Sequence, residues 1–233
     1  MAGKTKSRKA SAQRVNTVRN LILGLAAALV AGIAAWGFLY STGGTSDGFA
    51  AGSDWTVIED APASGRAPLT VTEFFSYGCV HCRNFDPLIE TWREGLPEDA
   101  SFVRAPVSYS PVWALLAKTY LALELEEALP RNHERLFRAI HDQQRQFLSA
   151  DQLADFVAGR GITRERFLAT FNSSRVQRRL NEIDQLSRRA SVRSVPSLIV
   201  ANRYLVNMDG GRKRALEIAN HLLDLERAAR NPA

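Results

Sequence analysis

Cysteine is almost missing from this chain: two residues among 233, at positions 79 and 82. A fold stapled by several disulfides is therefore excluded. A closed zinc site normally needs four Cys or His ligands. Beside the one Cys pair the chain offers only the scattered histidines His81, His133, His141 and His221, so no metal site is expected. Haem attachment requires His directly after the second cysteine, and Arg83 stands there. A bridge between such close neighbours adds little as a cross-link, because the stabilisation grows with loop length. A C-x-x-C pair with these rivals removed points to a redox dithiol.

Charge of one sign is missing near the start. No acid occurs before residue 21, whereas Lys4, Lys6, Arg8, Lys9, Arg14 and Arg19 are basic. Without those six, 24 of the 30 basic residues remain against 24 acidic ones, so the high pI belongs to the tail and the body is neutral. Residues 21–40 carry no charge at all. At about 1.5 Å per residue this run spans about 30 Å, the hydrocarbon thickness of a bilayer. It reads as one N-terminal transmembrane helix, with residues 1–20 held in the cytoplasm by their positive charge and Trp36 and Tyr40 at the far interface. A cleaved signal peptide would have a shorter apolar run and a small-x-small site; Ser41-Thr42-Gly43 is a poor one. A tail serving this purpose gives no reason to expect nucleic acid. Residues 41–52, rich in Gly, Ser and Thr, read as a flexible linker, which leaves 53–233 as the folded domain.

Within that domain an apolar, β-prone run, Leu69 to Ser76, leads into the cysteines. After them Phe85, Leu88, Ile89, Trp92 and Leu96 fall on one helix face. Cys79 therefore sits where a buried strand turns into a helix. The first N–H groups of a helix are unpaired and carry partial positive charge, so a thiolate there is stabilised. Cys82 lies one turn further in, less exposed. Glu73 falls on the more apolar face of the strand. If that strand is central, its carboxyl is buried, its pKa is raised, and it can take the proton of the inner thiol. Pro87 should kink the helix.

Ser101 to Val107 reads as a third strand, after a first edge strand near Trp55 to Glu59. About 111–190 is helical throughout, with a capping box at Ser149 and Gln152 and helix-ending glycines at 159 and 161. Its aromatic stripes read as core and the Arg-rich face of 175–193 as solvated surface. His133 and His141 are expected on the surface, and His221 borders the apolar stripe of a closing helix over 212–230. Between them, Pro196 to Val200 and Arg203 to Val206 form a hairpin joined near Asn202.

Glu73-Phe74-Phe75-Ser76-Tyr77-Gly78-Cys79-Val80-His81-Cys82 resembles the active-site segment of the DsbA family of periplasmic thiol:disulfide oxidoreductases. Far downstream, Val192-Arg193-Ser194-Val195-Pro196-Ser197-Leu198-Ile199-Val200 resembles that family's cis-proline loop. The resemblance implies an α/β, thioredoxin-like domain with an all-helical insertion. It implies Cys79 and Cys82 as the redox pair, no cofactor, and His81 as a group that favours a negative Cys79 sulfur. Glu73 matches the family's acid six residues before the first cysteine. A cis Val195–Pro196 bond lets Val195 offer its backbone to an extended substrate. The family usually has Pro between the first cysteine and His, and Val80 stands in its place. The implied activity is donation of a disulfide to folding exported proteins, from a domain on the periplasmic side of the inner membrane, with reoxidation by a DsbB-like quinone-linked membrane protein. A reductase or isomerase would use the same residues at the opposite redox poise, and a binding domain that merely kept the dithiol would show no turnover.

Overall fold

The computed structural model describes residues 48–230 and, ahead of them, helical positions 24, 28, 29, 32 and 33. The expected anchor over 21–40 and cytoplasmic tail over 1–20 otherwise lie outside the described residues. Among the described residues, no helix is long and apolar enough to cross a membrane. The folded unit begins at Phe49, ahead of the expected start at 53. The cause is local: the Asp54 carboxylate accepts the Ala50 N–H at 2.8 Å, and Phe49 packs on His221.

A single sheet carries the site. Strands β1 (Trp55–Val57), β2 (Thr70–Phe75), β3 (Ser101–Pro106), β4 (Ser197–Val200) and β5 (Tyr204–Val206) lie in the order β1-β5-β4-β2-β3. β2 is central, parallel to β3 and antiparallel to β4. It is buried along almost its whole length, as a strand covered on both faces must be. The β4–β5 turn is made by Ala201 and Asn202, both at positive φ. Asn was expected at such a position; Ala, with its Cβ, was not. Ala201 is wholly buried, and its N–H donates to the Thr70 carbonyl at 2.8 Å.

Helix α1 (Val80–Glu94) follows β2 and buries Phe85 and Ile89, as its spacing predicts, with Pro87 inside it. The helical insertion then runs through α2 (Pro111–Leu125), α3 (Leu129–Phe137), a π-helical turn (Arg138–Asp142), α4 (Ala150–Val157), α5 (Arg164–Phe171) and α6 (Ser174–Arg189). Helix α2 differs from the single stripe expected of it: Thr119, Leu121 and Ala122 are buried too. A helix apolar on nearly all sides is surrounded, and α2 packs against β3 and the other four helices of the insertion. Ser149 caps α4 through the Gln152 N–H, while the Gln152 side chain reaches back to the Leu148 N–H at 2.7 Å, one residue before the usual partner of a capping box. Gly159 and Gly161 are both left-handed, as a helix end requires. Helix α7 (Arg212–Arg230) closes the chain, with Ala215, Ile218, Ala219 and Leu222 buried against β4, β5 and α1.

Candidate active site

The loop between β2 and α1 is four residues long, Ser76 to Cys79. Cys79 occupies the N-cap of α1 in an extended conformation, and its sulfur accepts the Cys82 N–H at 3.2 Å. Ser, Thr, Asp or Asn is usual at that position; a cysteine there brings a sulfur to the positive end of the helix. Both cysteines are free thiols, Cys79 only 6% exposed and Cys82 not at all. The Cys82 thiol hydrogen-bonds the Cys79 sulfur, and with the N–H groups of Cys82 and His81 and the His81 imidazole it lowers the Cys79 pKa to about 6, against burial. Cys82 goes the other way: burial, then the Cys79 sulfur, then the charge of Glu73 push its thiol far up. His81 itself is exposed on the first turn of α1.

The Val195–Pro196 peptide bond is cis, and it presents the Val195 carbonyl to the Cys79 sulfur at 3.4 Å. Two segments far apart in sequence thus meet across one sulfur.

Behind the dithiol, Glu73 points from the central strand into a buried ion cluster. Arg104, its register partner on β3, donates to it from Nε at 3.0 Å. The same guanidinium donates to Asp86 at 2.7 Å and Glu90 at 2.8 Å. Three carboxylates therefore meet one guanidinium, Glu90 pairing also with Arg93 at 3.1 Å. With all three ionised against Arg104 and Arg93 the cluster would still be negative, so one proton is retained in a low-dielectric setting. Glu73 is the one buried most deeply: burial outweighs Arg104 and raises its pKa to about 8. Asp86 stays ionised, because bonds and charges from His133 and Arg104 overcome its burial.

His133 and His141 are not the surface residues expected. His133 bridges Asp86 at 3.0 Å and the Tyr77 hydroxyl at 2.8 Å, and His141 bonds the Tyr77 carbonyl at 2.8 Å. Each lies on the apolar side of its helix, where the active-site loop covers it. The structure brings together Cys79, Cys82, His81, Glu73, Val195 and the cis Pro196. It adds Arg104, Asp86, His133, His141 and Tyr77, which sequence reasoning missed. A signal existed for one of them: Arg104 is the lone charge in an apolar strand, as Glu73 is in its neighbour. Among the described residues, no group of His, Cys, Asp and Glu is placed to hold a metal ion.

Comparison with known proteins agrees with this geometry. Residues 106–222 match the family model of the DSBA-like thioredoxin domain. The chain is 32% identical over 215 residues to the thiol:disulfide interchange protein DsbA of Pseudomonas aeruginosa, covering 91% of this chain and 99% of that one. It is 32% identical over 170 residues to the DsbA of Azotobacter vinelandii, covering 72% and 79%. The crystal structure of Pseudomonas aeruginosa DsbA superposes with a TM-score of 0.73 at 33% identity, over 79% of this chain and 97% of that one. That of the oxidoreductase DsbA from Xylella fastidiosa superposes with 0.70 at 31%, over 75% and 96%. A lone C-x-x-C fits several chemistries, but one at a helix N-cap, facing a cis proline, in a chain with these relatives fits one. The chain belongs to the DsbA family of thioredoxin-like thiol:disulfide interchange proteins and is a disulfide oxidoreductase.

Proposed function

We propose that the chain works as an oxidant, donating the Cys79–Cys82 disulfide to cysteine pairs of folding exported proteins. The observation that carries this reading is the opposite treatment of the two sulfurs. Stabilising the Cys79 thiolate stabilises the reduced enzyme, and an enzyme with a stabilised reduced form gives its disulfide away. In the forward step a substrate thiolate attacks the Cys79 sulfur, and the Cys79–Cys82 bond breaks with its electron pair going to Cys82. Cys82 leaves as a poor thiolate, so it takes a proton at once, and Glu73, protonated at neutral pH, is the group behind it able to give one. The second substrate thiolate then attacks its partner sulfur and expels Cys79, a good leaving group. While Cys79 is in the mixed disulfide its thiol no longer bonds the Val195 carbonyl, which is then free for a substrate N–H, as in strand addition.

Val80 and Tyr109, half exposed, and Val112 and Leu148 with them, offer apolar surface at or near the dithiol for unfolded chains. The neutral body, the basic tail and the uncharged run over 21–40 support an inner-membrane anchor with the domain in the periplasm. A membrane-bound quinone-linked reoxidant of the DsbB kind would then be held at high effective concentration.

The deciding experiment is equilibration with reduced and oxidised glutathione. An oxidant stays mostly reduced at a glutathione poise that oxidises a thioredoxin-like reductase; an equilibrium favouring the oxidised enzyme would make the chain a reductase. Trapping assigns the sulfurs: Cys82→Ala should accumulate mixed disulfides through Cys79, and Cys79→Ser should abolish oxidation of a dithiol peptide. The mass of the membrane-extracted protein tests the anchor. A mature N-terminus between residues 41 and 52 would make the run a cleaved signal.

A further inference from the structure

The helical insertion does more than cover the sheet: it grips the active-site loop. Trp113 of α2 lies so close to Gly78 that a Cβ there would come within 2.6 Å of its indole nitrogen. His133 of α3 holds the Tyr77 hydroxyl, and His141 of the π turn holds the Tyr77 carbonyl. Asp142, the next residue of that turn, pairs with Arg83 at 3.2 Å, just after the second cysteine. The contacts thus bracket the dithiol in sequence. A π turn carries an extra residue and rotates the positions that follow it. The wide turn from Arg138 to Gln143, closed by an N–H to carbonyl bond at 3.0 Å, delivers His141 and Asp142 to the dithiol side together.

The hydrogens can be assigned from chemistry. A carbonyl only accepts, so His141 carries its hydrogen on Nε2. Asp86 is a carboxylate, so neutral His133 donates to it from Nε2, and His133 Nδ1 is left to accept from the Tyr77 hydroxyl. Burial keeps the Tyr77 phenol protonated and disfavours the charged form of His133, which agrees with that arrangement. The hydroxyl and the carbonyl of Tyr77 are thereby both held.

We propose that His133 and His141 are positioning residues for the disulfide exchange: they clamp Tyr77 by its hydroxyl and its carbonyl, and through it set where the Cys79 sulfur sits. The link between clamp and sulfur is Gly78, which has no side chain to stiffen it and whose space Trp113 fills. Ser76 ties the loop into a turn, its Oγ accepting the Gly78 N–H at 3.1 Å and its carbonyl the Cys79 N–H at 3.0 Å, and the clamp on Tyr77 fixes where that turn sits. The Cys82 N–H meets that sulfur at 3.2 Å, so the contact depends on where the N-cap residue is held. The insertion in this way tunes the redox poise of a dithiol to which it contributes no sulfur ligand of its own.

This inference rests on Cys79 being the sulfur that forms the thiolate, and the two ideas fail separately. The purified full-length protein is titrated by thiolate absorbance and equilibrated with glutathione, as wild type, His141→Ala, His141→Gln and Tyr77→Phe. A wild type with no thiolate below pH 7 overturns the oxidant reading itself. Given a wild-type thiolate, His141→Ala should raise the Cys79 midpoint by about one unit and shift the glutathione equilibrium about tenfold toward oxidised enzyme. His141→Gln, whose amide N–H can reach the same carbonyl, should restore most of that shift. Tyr77→Phe should give a smaller shift in the same direction, about threefold. A purely structural role would weaken oxidised and reduced forms alike and leave the equilibrium unmoved. The clamp is overturned by a His141→Ala protein that matches wild type in both measurements, or by a shift that Gln does not rescue. If His141→Ala does not fold, Tyr77→Phe carries the decision, since it removes only a hydroxyl: a shift supports the clamp and its absence overturns it.

Discussion

Glu73 on β2 and Glu226 on α7 are both buried, at 2% and 0% exposure, yet their surroundings push them in opposite directions. Burial acts on Glu226 first and raises its pKa, but the Gly65 N–H at 2.6 Å, the Ser64 and Tyr204 hydroxyls at 2.8 Å and the charge of Arg203 outweigh it, and the carboxylate ends below its usual range. Glu73 has one donor, Arg104, which it shares with Asp86 and Glu90, and it ends at about 8. Both are hidden from solvent, but Glu73 lies deeper in the protein and is supplied with fewer hydrogen-bond donors. A well-supplied buried acid fastens the fold, here the loop at Ser64 and Gly65 to the last helix. An undersupplied one holds a proton near neutral pH and is free to exchange it.

Removing each acid should expose this difference. Glu226→Ala strands three donors and should cost about 3–5 kcal/mol of stability by urea denaturation, while the glutathione equilibrium and the Cys79 titration stay at wild-type values. A redox shift in that variant would erase the distinction. Glu73→Gln should fold well, because Gln can still accept from Arg104, but disulfide transfer to a dithiol peptide should slow by about tenfold or more for want of a proton donor behind Cys82. Its stability should also change with pH in a set direction. The folded pKa of Glu73 is raised from 4.5 to about 8, so the wild type loses this contribution as pH rises through that window, and Glu73→Gln does not. The stability of wild type relative to the variant should therefore fall between pH 4.5 and 8; a flat difference would mean that Glu73 is ionised throughout. The smallest effect is expected from Tyr204→Phe, which removes one of the donors to Glu226 at a cost of about 1 kcal/mol and leaves the transfer rate alone.

Much of this was readable in the sequence where the signal is local. An apolar, β-prone run marked β2, the dithiol fell between a strand and a helical period, and the capping residues and glycines bounded α4. Glu73 stood out because an acid on an apolar strand face has few structural uses. What was not readable depends on what another part of the chain lays against a residue. His133 and His141 follow ordinary helix periodicity, and nothing within α3 tells that the loop before Cys79 covers it. Helix α2 reads as one stripe until the four helices around it are in place. The π turn at Arg138–Asp142 has no composition of its own and reads as continuing helix. Asp86 lies between Phe85 and Pro87 on α1, where a single carboxylate reads as solvated until Arg104 arrives from β3.

The strand order has a consequence for the order of events in synthesis. β1 and β2 are separated in the sheet by β5 and β4, the last two strands of the chain. A nascent polypeptide ending before Val195 has no partner for β1 and leaves one edge of β2 open. Such a chain already carries Cys79 and Cys82 but lacks Val195, the carbonyl that the sulfur meets across the site. Each molecule thus passes through a stage in which its own thiols are displayed without the surface that handles those of others, and that stage ends only when the final hairpin emerges and zips the two halves of the sheet together.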